Sequence, residues 1–182
     1  VKISAKDEFI ILSYHPVTTE LSQNEIHIRK ILTAMKDIKY KKIILWPNSD
    51  AGSEMISKVV RQFREKKLLE NTRLIKNVSI ETYVNLLNRC KCLVGNSSSA
   101  IREGAFIGVP SVNIGTRQKN RLRGNNIIDS GYDYNELVKK IILQSKKKHL
   151  KSESIYGNGT AGKKIVKIIK NLKKINPQKS IT

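Results

Sequence analysis

The chain alternates short, continuous apolar runs with longer segments in which apolar residues recur every three or four positions. Continuous runs are typical of strands buried on both faces, and the longer spacing is typical of amphipathic helices. The runs predict strands at EFIILSY (8–14), KKIILW (41–46), TRLIK (72–76), KCLVG (91–95), PSVNIG (110–115) and NNIID (125–129). The spaced segments predict helices at SQNEIHIRKILTAMKDI (22–38), SEMISKVVRQFREK (53–66), IETYVNLLNRC (80–90), SAIREGAFIG (99–108) and DYNELVKKIILQSKKK (133–148).

The alternation of strand and helix with short loops predicts the fold class. Parallel strands need crossover connections, and helical crossovers cover both faces of the sheet. We therefore expect an α/β protein with a Rossmann-like, doubly wound parallel sheet. Ser22 is the predicted N-cap of the first helix, with Glu25 completing a capping box three residues later.

Polar residues follow four of the predicted strands. His15, Asn48, the pair Ser97 and Ser98, and Arg117 each lie just beyond a strand end. Because the carboxyl ends of parallel strands meet at one edge of the sheet, we expect these residues to lie together there. Ligands of open α/β sheets bind at that edge.

The stretch GNSSSAIREGAFIGVPSVNIGTRQKNR (95–121) suggests an anion site. Ser97 and Ser98 stand at a predicted helix start, where backbone amides lack helical partners and the helix dipole is positive. Arg117 can fork onto phosphate oxygens, and Arg121 follows four residues later. We interpret the stretch as a cradle for a diphosphate. Simple N-capping by the serines remains the alternative, since the loop matches neither a Walker motif nor GxGxxG.

Two more residues have a structural and a functional interpretation. His15, before a proline, is either a satisfied histidine at a strand end or part of the ligand site. Glu103 lies in the first turns of a predicted helix, where it complements the helix dipole or accepts hydrogen bonds from ribose hydroxyls.

The formal net charge of +20 raises the possibility of nucleic-acid binding. Most lysines of the second half alternate with isoleucine on predicted helices or in the tail, which favours solvated helix faces. The lysines concerned are Lys139, Lys140, Lys146 to Lys148, Lys163, Lys164, Lys173 and Lys174. Aromatic residues make up only 5% of the chain, and no aromatic and basic stacking motif occurs. A basic nucleic-acid-binding module is therefore the lower-ranked alternative.

Cys90 and Cys92 do not have the number or spacing of zinc ligands. We expect two small, buried, reduced side chains, which alternation along a strand would point the same way. The sequence shows neither a signal peptide nor an apolar run that could span a bilayer. We expect a cytoplasmic protein without a metal, a cofactor or a membrane segment.

Four motifs together resemble a known family. HPVTTE, PNSDAG, GNSSSAIREGAFIGVPSVNIGTRQKNR and the late YGNGTAGKKIV are similar, in order and spacing, to the C-terminal half of the UDP-N-acetylglucosamine 2-epimerases. HPVTTE and NIGTRQ resemble the hydrolysing branch, which releases UDP and a sugar of the N-acetylmannosamine type for sialic-acid-like sugars. The non-hydrolysing branch and the UDP-binding half of a GT-B glycosyltransferase are the alternatives.

The resemblance implies a role for each matching position. His15, Asn48, Val78, Ser97, Ser98, Glu103 and Arg117 match UDP-contacting positions of the family. Ser97 and Ser98 would hold the phosphates, Glu103 the ribose and the backbone around Val78 the uracil. His15 would act on the side of the leaving group. The implied reaction eliminates UDP from the nucleotide sugar and then adds water to the resulting glycal.

The resemblance also implies a domain organisation. Residues 1–7 resemble the remnant of an inter-domain linker, 8–174 form the C-terminal UDP-binding Rossmann-like domain, and 175–182 form a basic polar tail. The chain would be one half of a GT-B-type two-domain enzyme, without its N-terminal catalytic domain. That domain was either removed or is encoded separately. We expect the half alone to be inactive and the full-length enzyme to be a homo-oligomer that binds UDP and a UDP-N-acetylhexosamine.

Overall fold

A computed structural model describes residues 2–4 and 6–172 of the 182-residue chain. Its strands are β1 (Phe9–Ser13), β2 (Lys41–Leu45), β3 (Thr72–Ile75), β4 (Cys92–Gly95), β5 (Ser111–Ile114) and β6 (Ile127–Ser130). Its α-helices are α1 (Asn24–Lys36), α2 (Ser53–Glu65), α3 (Ile80–Leu87), α4 (Glu103–Ile107), α5 (Tyr134–Ser145) and α6 (Ala161–Lys170). Each predicted strand and helix therefore exists, and no end differs from the prediction by more than four residues.

The strands form a single parallel sheet in the order β3-β2-β1-β4-β5-β6. The predicted Rossmann-like α/β class is thus confirmed, with the strand order of a dinucleotide-binding fold. The order reverses between β1 and β4, which are hydrogen-bonded neighbours. Loops leaving two adjacent strands in opposite directions open a crevice at this switch point.

Both faces of the sheet are covered, as the continuous apolar runs predicted. In β1, Ile10 and Leu12 belong to the cluster that includes residues of α1, α2 and α5. Phe9 and Ile11, which alternate with them, belong to a second cluster with α3 and the segment before α4. The central strand therefore has no solvent-facing side, and every residue of β1 is buried. Such a strand holds the loop that follows it in a fixed position.

The first helix begins differently from the prediction. Ser22 lies inside a 3-10 helix, Thr18–Gln23, and α1 starts at Asn24 without a side-chain cap. Glu25 pairs with Arg29 one turn later at 2.8 Å and completes no capping box. The prediction was wrong because HPVTTE continues into a short helical turn, which places the start of α1 two residues later.

The predicted helix after β4 is also interrupted. Ser98–Ala100 form one 3-10 turn, and α4 begins only at Glu103 and has five residues. Ser97 caps the 3-10 turn, since its hydroxyl accepts a hydrogen bond from the Ser99 amide at 3.3 Å. The dipole of a long helix, which was part of the anion argument, is therefore absent from the start of this segment.

The two cysteines are buried and free, as predicted, but they do not point the same way. Cys90 precedes β4 and packs in the cluster with α3, whereas Cys92 packs in the cluster with α1. Strand alternation does not apply to a residue outside the strand. Burial raises the pKa of the Cys90 thiol to about 12 and also raises that of Cys92, so both are inert thiols.

Most of the singled-out lysines are exposed, as predicted, on α5, in the segment after it and on α6. Lys140 differs, because it pairs with Glu136 and donates to the Asp129 carbonyl. Lys173, Lys174 and the predicted tail at 175–182 lie outside the described residues.

Helix α6 was not predicted, although its first six residues belong to the YGNGTAGKKIV motif. All of its residues are exposed, including an apolar stripe of Ile165, Val166, Ile168 and Ile169. The stripe alternates with Lys163, Lys164, Lys167 and Lys170 at helical spacing. The helix therefore presents an apolar face that no other described element covers.

Gly95, the last residue of β4, occupies a position where only glycine fits. Its φ is +130°, and a Cβ built there would lie 2.1 Å from the Ser13 carbonyl oxygen. We expect Gly95→Ala to lower the free energy of unfolding by about 3 kcal/mol, because both the backbone and the neighbouring strand would have to shift. Urea denaturation measures this change. The control Gly162→Ala, in α6 with no atom within 4 Å, is expected to stay within about 1 kcal/mol of the native chain. Equal stability of the two variants would contradict the argument.

Candidate functional site

The loops after β1 and β4 are tied together by one buried side chain. Asn96, directly after β4, is fully buried. Its Oδ1 accepts from the His15 amide at 2.7 Å, and its Nδ2 donates to the His15 carbonyl at 2.8 Å. Because the two bonds use both ends of the amide, Asn96 fixes His15 at the switch point.

The loop after β5 is attached to the same residue. The Asn96 carbonyl accepts a hydrogen bond from Gln118 Nε2 at 2.8 Å and a longer one from Arg117 Nη1 at 3.5 Å. Gln118 is 1% exposed, so this bond forms in the interior. Arg117 is therefore directed toward the loop that contains Ser97 and Ser98.

A line of polar contacts runs across the edge from Arg117 to His15. Arg117 Nη2 lies 3.3 Å from Asp50 Oδ2, and Asn48 Nδ2 donates to the same oxygen at 2.7 Å. Asn48 Oδ1 lies 3.0 Å from His15 Nδ1. Residues from the loops after β1, β2 and β5 thus contact one another in sequence.

The environment of His15 favours its neutral form. Burial lowers the pKa of the imidazole below its ordinary value, and the nearby Arg117 charge lowers it further. The Asn48 contact and the Asp50 carboxylate act in the opposite direction. The stability linked to the neutral His15 ring is therefore complete above the unfolded pKa, about 6.5, and is lost as the pH falls from there through the lower folded pKa.

The serine loop offers unused donors. In the part of the chain that the structure describes, the Ser97 and Ser98 amides donate to no protein acceptor. The Ser97 and Ser99 hydroxyls contact each other at 2.9 Å, and the Ser99 hydroxyl also contacts Tyr83 Oη at 2.6 Å. Burial raises the pKa of Tyr83 to about 12, so its hydroxyl stays protonated. Two free amides and the Ser98 hydroxyl can therefore accept an anion.

A cavity of about 690 Å³ lies beside Arg117. It is lined by 16–20 after β1, by Asp50, and by Thr116, Arg117 and Lys119 after β5. Thr116 Oγ1 donates to Glu20, which joins the two sides of the cavity. Its position at the carboxyl edge is the one expected for a ligand of this fold.

Two predicted site residues lie apart from this cluster. Glu103 is the first residue of α4, as the sequence suggested, and lines a separate groove with Phe106 and Tyr156. Val78 is half-buried in the loop between β3 and α3. Both follow strands at the same edge, but no contact among the described residues joins them to His15 or Arg117.

The structure thus brings together His15, Asn48 and Arg117, and it places Ser97 and Ser98 in the adjoining loop. Sequence reasoning missed Asp50, Asn96 and Gln118, which hold these residues in position. Asp50 stands in the quoted motif PNSDAG, and Asn96 directly follows the last residue of β4. An asparagine directly after a buried strand was the available signal, because its amide can bond neighbouring backbone.

Within residues 2–4 and 6–172, no group of three or more His, Cys, Asp or Glu side chains is placed to hold a metal ion. In the same ranges, no helix has the length and apolar character needed to cross a membrane.

Comparison with known proteins adds a family and relatives. The sequence profile described as UDP-N-acetylglucosamine 2-epimerase matches residues 1–170. A UDP-N,N'-diacetylbacillosamine 2-epimerase (hydrolyzing) from Legionella pneumophila is 28% identical over 162 residues, which cover 89% of this chain and 42% of that protein. A GDP/UDP-N,N'-diacetylbacillosamine 2-epimerase (hydrolyzing) from Campylobacter jejuni is 33% identical, covering 68% of this chain and 32% of its own length.

Among solved structures, the fold is similar to that of UDP-GlcNAc 2-epimerase from Methanocaldococcus jannaschii in complex with UDP-GlcNAc and UDP. The TM-score is 0.68 at 16% identity, over 90% of this chain and 45% of that one. The chain thus spans less than half the length of each of these three proteins.

The Asn96 tie generates a prediction. Asn96→Asp replaces the donating amide nitrogen with an oxygen that faces the His15 carbonyl. We expect the free energy of unfolding at pH 7 to fall by about 3 kcal/mol, since a buried carboxylate, which cannot donate, would replace the amide donor and face the His15 carbonyl. Below the unfolded carboxyl pKa, about 3.9, the variant is protonated in both states and this charge penalty vanishes. Between the raised folded pKa and that value, the loss shrinks as the pH falls.

Urea denaturation at pH 7 and at pH 4 measures the effect. The control Asn135→Asp, exposed on α5, is expected to change stability by less than about 0.5 kcal/mol. An Asn96→Asp chain as stable as the native one at pH 7 would show that the tie is dispensable.

Proposed function

The chain belongs to the UDP-N-acetylglucosamine 2-epimerase family, and we propose that it is the nucleotide-binding half of a hydrolysing member. In this proposal, the full-length enzyme converts UDP-N-acetylglucosamine, or a related UDP-2-acetamido sugar, to UDP and a sugar of the N-acetylmannosamine type. The product would serve the synthesis of sialic-acid-like sugars.

The proposal depends most on the hydrogen-bond donors that meet at the switch point. The free Ser97 and Ser98 amides stand in the loop whose first carbonyl, that of Asn96, is contacted by Arg117. Amides and a guanidinium that approach from two loops at a switch point suit a diphosphate, which needs several donors and compensating charge. The cavity beside Arg117 leaves room for the sugar that the diphosphate carries.

The same groups suit the departure of UDP. When the glycosidic C–O bond breaks, negative charge develops on the β-phosphate. The Ser97 and Ser98 donors are already in place, and the Arg117 guanidinium needs only to turn from Asp50 toward the phosphate, so these groups stabilise the charge with little rearrangement. His15, which we place on the side of the leaving group, is close enough to Arg117 for the arginine charge to lower the pKa of the imidazole. Loss of the C2 proton and addition of water need carboxylates, which we assign to a second domain of the full-length enzyme.

The nucleoside would extend from the diphosphate toward α4 and the loop after β3. Glu103 is half-buried at the start of α4 and has acceptor oxygens for two ribose hydroxyls. Val78 is half-buried in the loop after β3, and in this assignment its backbone contacts the base. This assignment orders the site along the carboxyl edge from Arg117 to Val78.

The names of the relatives support the hydrolysing branch. The Legionella and Campylobacter proteins are both described as hydrolyzing 2-epimerases acting on a diacetylbacillosamine nucleotide. HPVTTE and NIGTRQ pointed to the same branch in the sequence. A 2-acetamido sugar with a second acetamido group is accordingly within the proposed substrate class.

The proposal includes a second domain. The chain spans less than half of its relatives, and the apolar stripe of α6 is uncovered among the described elements. Such a stripe is suited to packing against another part of a longer protein. We assign the catalytic carboxylates to that part. We also propose that the whole enzyme is a homo-oligomer in the cytoplasm.

UDP binding is the first test. We expect Arg117→Ala to raise the Kd of UDP roughly 10- to 100-fold, because it removes a charged hydrogen-bond donor. Ser98→Ala is expected to raise it by up to about tenfold. Isothermal titration calorimetry with UDP gives the Kd of each variant.

Arg123→Ala is the matched control. Arg123 lies in the same loop as Arg117 but pairs with Asp129 at 3.0 Å, so its loss should leave the Kd unchanged. Equal affinities of the native and Arg117→Ala chains would contradict the diphosphate assignment. Absence of UDP binding together with steeply salt-dependent RNA or DNA binding would favour the nucleic-acid alternative.

Product analysis is the second test. We expect the full-length enzyme, incubated with UDP-N-acetylglucosamine or its diacetamido relative, to release UDP and the free 2-epimeric sugar, and residues 1–182 alone to release neither. Proton NMR of the reaction mixture distinguishes these products. Formation of a UDP-linked epimer would assign the non-hydrolysing branch. UDP release that requires an acceptor sugar would assign a glycosyltransferase.

A further inference from the structure

Asp50 stands between two members of the proposed site without itself matching a UDP-contacting position. Its Oδ2 accepts from Asn48 Nδ2 at 2.7 Å and pairs with Arg117 Nη2 at 3.3 Å. Asn48 in turn contacts His15. The carboxylate is therefore one step removed from the imidazole and in direct contact with the guanidinium.

The chemistry of these groups fixes the orientation of the Asn48 amide. An ionised carboxylate only accepts hydrogen bonds, so the end of Asn48 that faces Asp50 must be the NH₂ group. The carbonyl end then faces His15 Nδ1 at 3.0 Å. An amide oxygen also only accepts, so Nδ1 must carry the proton in that contact.

A second contact acts against this arrangement. The Asn48 backbone amide lies 3.3 Å from the same Nδ1 and would donate to it if the nitrogen were unprotonated. Backbone donation favours the tautomer with the proton on Nε2, whereas the side-chain oxygen favours the proton on Nδ1. The side-chain contact is shorter, and Asp50 keeps the oxygen in place, so it decides the balance.

We propose that Asp50 is a positioning residue for His15, and that through Asn48 it holds the ring with its proton on Nδ1 and leaves Nε2 to exchange protons. The hydrogen bond at one ring nitrogen determines which nitrogen is available to react, and here Asn48 carries that influence from the carboxylate to the ring. The same carboxylate balances the Arg117 charge while no anion is bound.

The surroundings of Nε2 agree with this role. Ser13 Oγ is the polar atom near Nε2, at 3.4 Å, and its hydroxyl can donate to an unprotonated nitrogen. The charges of Arg117 and Asp50 shift the pKa of the ring, Arg117 downward and Asp50 upward. Proton uptake at Nε2 gives an imidazolium that keeps its Nδ1 bond to Asn48. Release of that proton to a leaving phosphate oxygen restores the neutral ring.

The tautomer can be measured without any ligand. The chain has three histidines, and ¹⁵N-labelled imidazole resonances distinguish a protonated from an unprotonated ring nitrogen. At a pH where His15 is neutral, we expect its Nδ1 to resonate as protonated and its Nε2 as unprotonated. In Asp50→Ala the Asn48 side-chain amide is free to turn, so that its Nδ2, like the Asn48 backbone N–H, faces Nδ1 as a donor. We expect the resonances to shift toward the opposite tautomer.

Asp50→Asn keeps the side-chain volume and an acceptor oxygen, and it is expected to give a smaller shift in the same direction. The control Asp7→Ala removes a carboxylate from an ion pair with Lys41 before β1, at the opposite edge of the sheet. It should leave the His15 resonances unchanged. A native chain with the proton on Nε2, or unchanged resonances in both Asp50 variants, would overturn the proposal.

Proton exchange between Nε2 and the leaving phosphate rests on the proposed function, whereas the assignment of the tautomer does not. UDP titration of Asp50→Ala separates the two. We expect its Kd for UDP to stay equal or decrease, because a negative charge beside the diphosphate is removed, while the full-length variant loses turnover. Absence of UDP binding by the native chain would contradict the proposed function and leave the tautomer result standing.

Discussion

The two hydrogen bonds between the Asn96 amide and the His15 main chain determine the geometry of the carboxyl edge. They join the loops that leave β1 and β4 where the strand order reverses. The two loops are therefore held at a fixed distance from each other at the switch point. The Asn96 carbonyl then receives Gln118 and Arg117 from the loop after β5. Because all of these contacts meet at one fully buried residue, three loops behave as a single preformed surface.

The ion pair with Asp50 explains how Arg117 is accommodated at this surface in a strongly basic chain. Arg117 would repel the neighbouring cations and destabilise the edge if its charge were uncompensated. Asp50 supplies the compensation at 3.3 Å, and this distance is long enough for an entering diphosphate to compete for the guanidinium. The donors left open, the Ser97 and Ser98 amides, adjoin this arginine. The site is therefore electrostatically satisfied without a ligand and still complementary to an anion.

The sequence predicts the fold well because the physical signals are local. In β1 the first four residues, FIIL (9–12), are all apolar and every residue of the strand is buried, as expected for a strand covered on both faces. The position of His15, Asn48 and Arg117 after strands follows from the same reasoning. Sequence reasoning failed where a short polar segment could form either the first turn of an α-helix or a 3-10 turn. Ser22 lies inside a 3-10 helix, and the serine run after β4 makes one 3-10 turn because the Ser97 hydroxyl caps the Ser99 amide.

The supporting residues could not be predicted in the same way. The pairs Asp50 with Arg117 and Asn96 with His15 join residues 67 and 81 positions apart. No periodicity encodes such pairs, because they exist only after the sheet has brought the loops together. The motifs PNSDAG and GNSSS did contain both residues, so the resemblance marked the segments, and the structure explains what the individual side chains do.

The account is tested most directly by a crystal structure of the chain with bound UDP. It predicts that the diphosphate lies between the Ser97 and Ser98 amides and Arg117, with the guanidinium turned from Asp50 toward a phosphate oxygen, and that Asn96 keeps both bonds to His15. A diphosphate bound elsewhere, with Arg117 still paired to Asp50 and the two amides facing solvent, would contradict it.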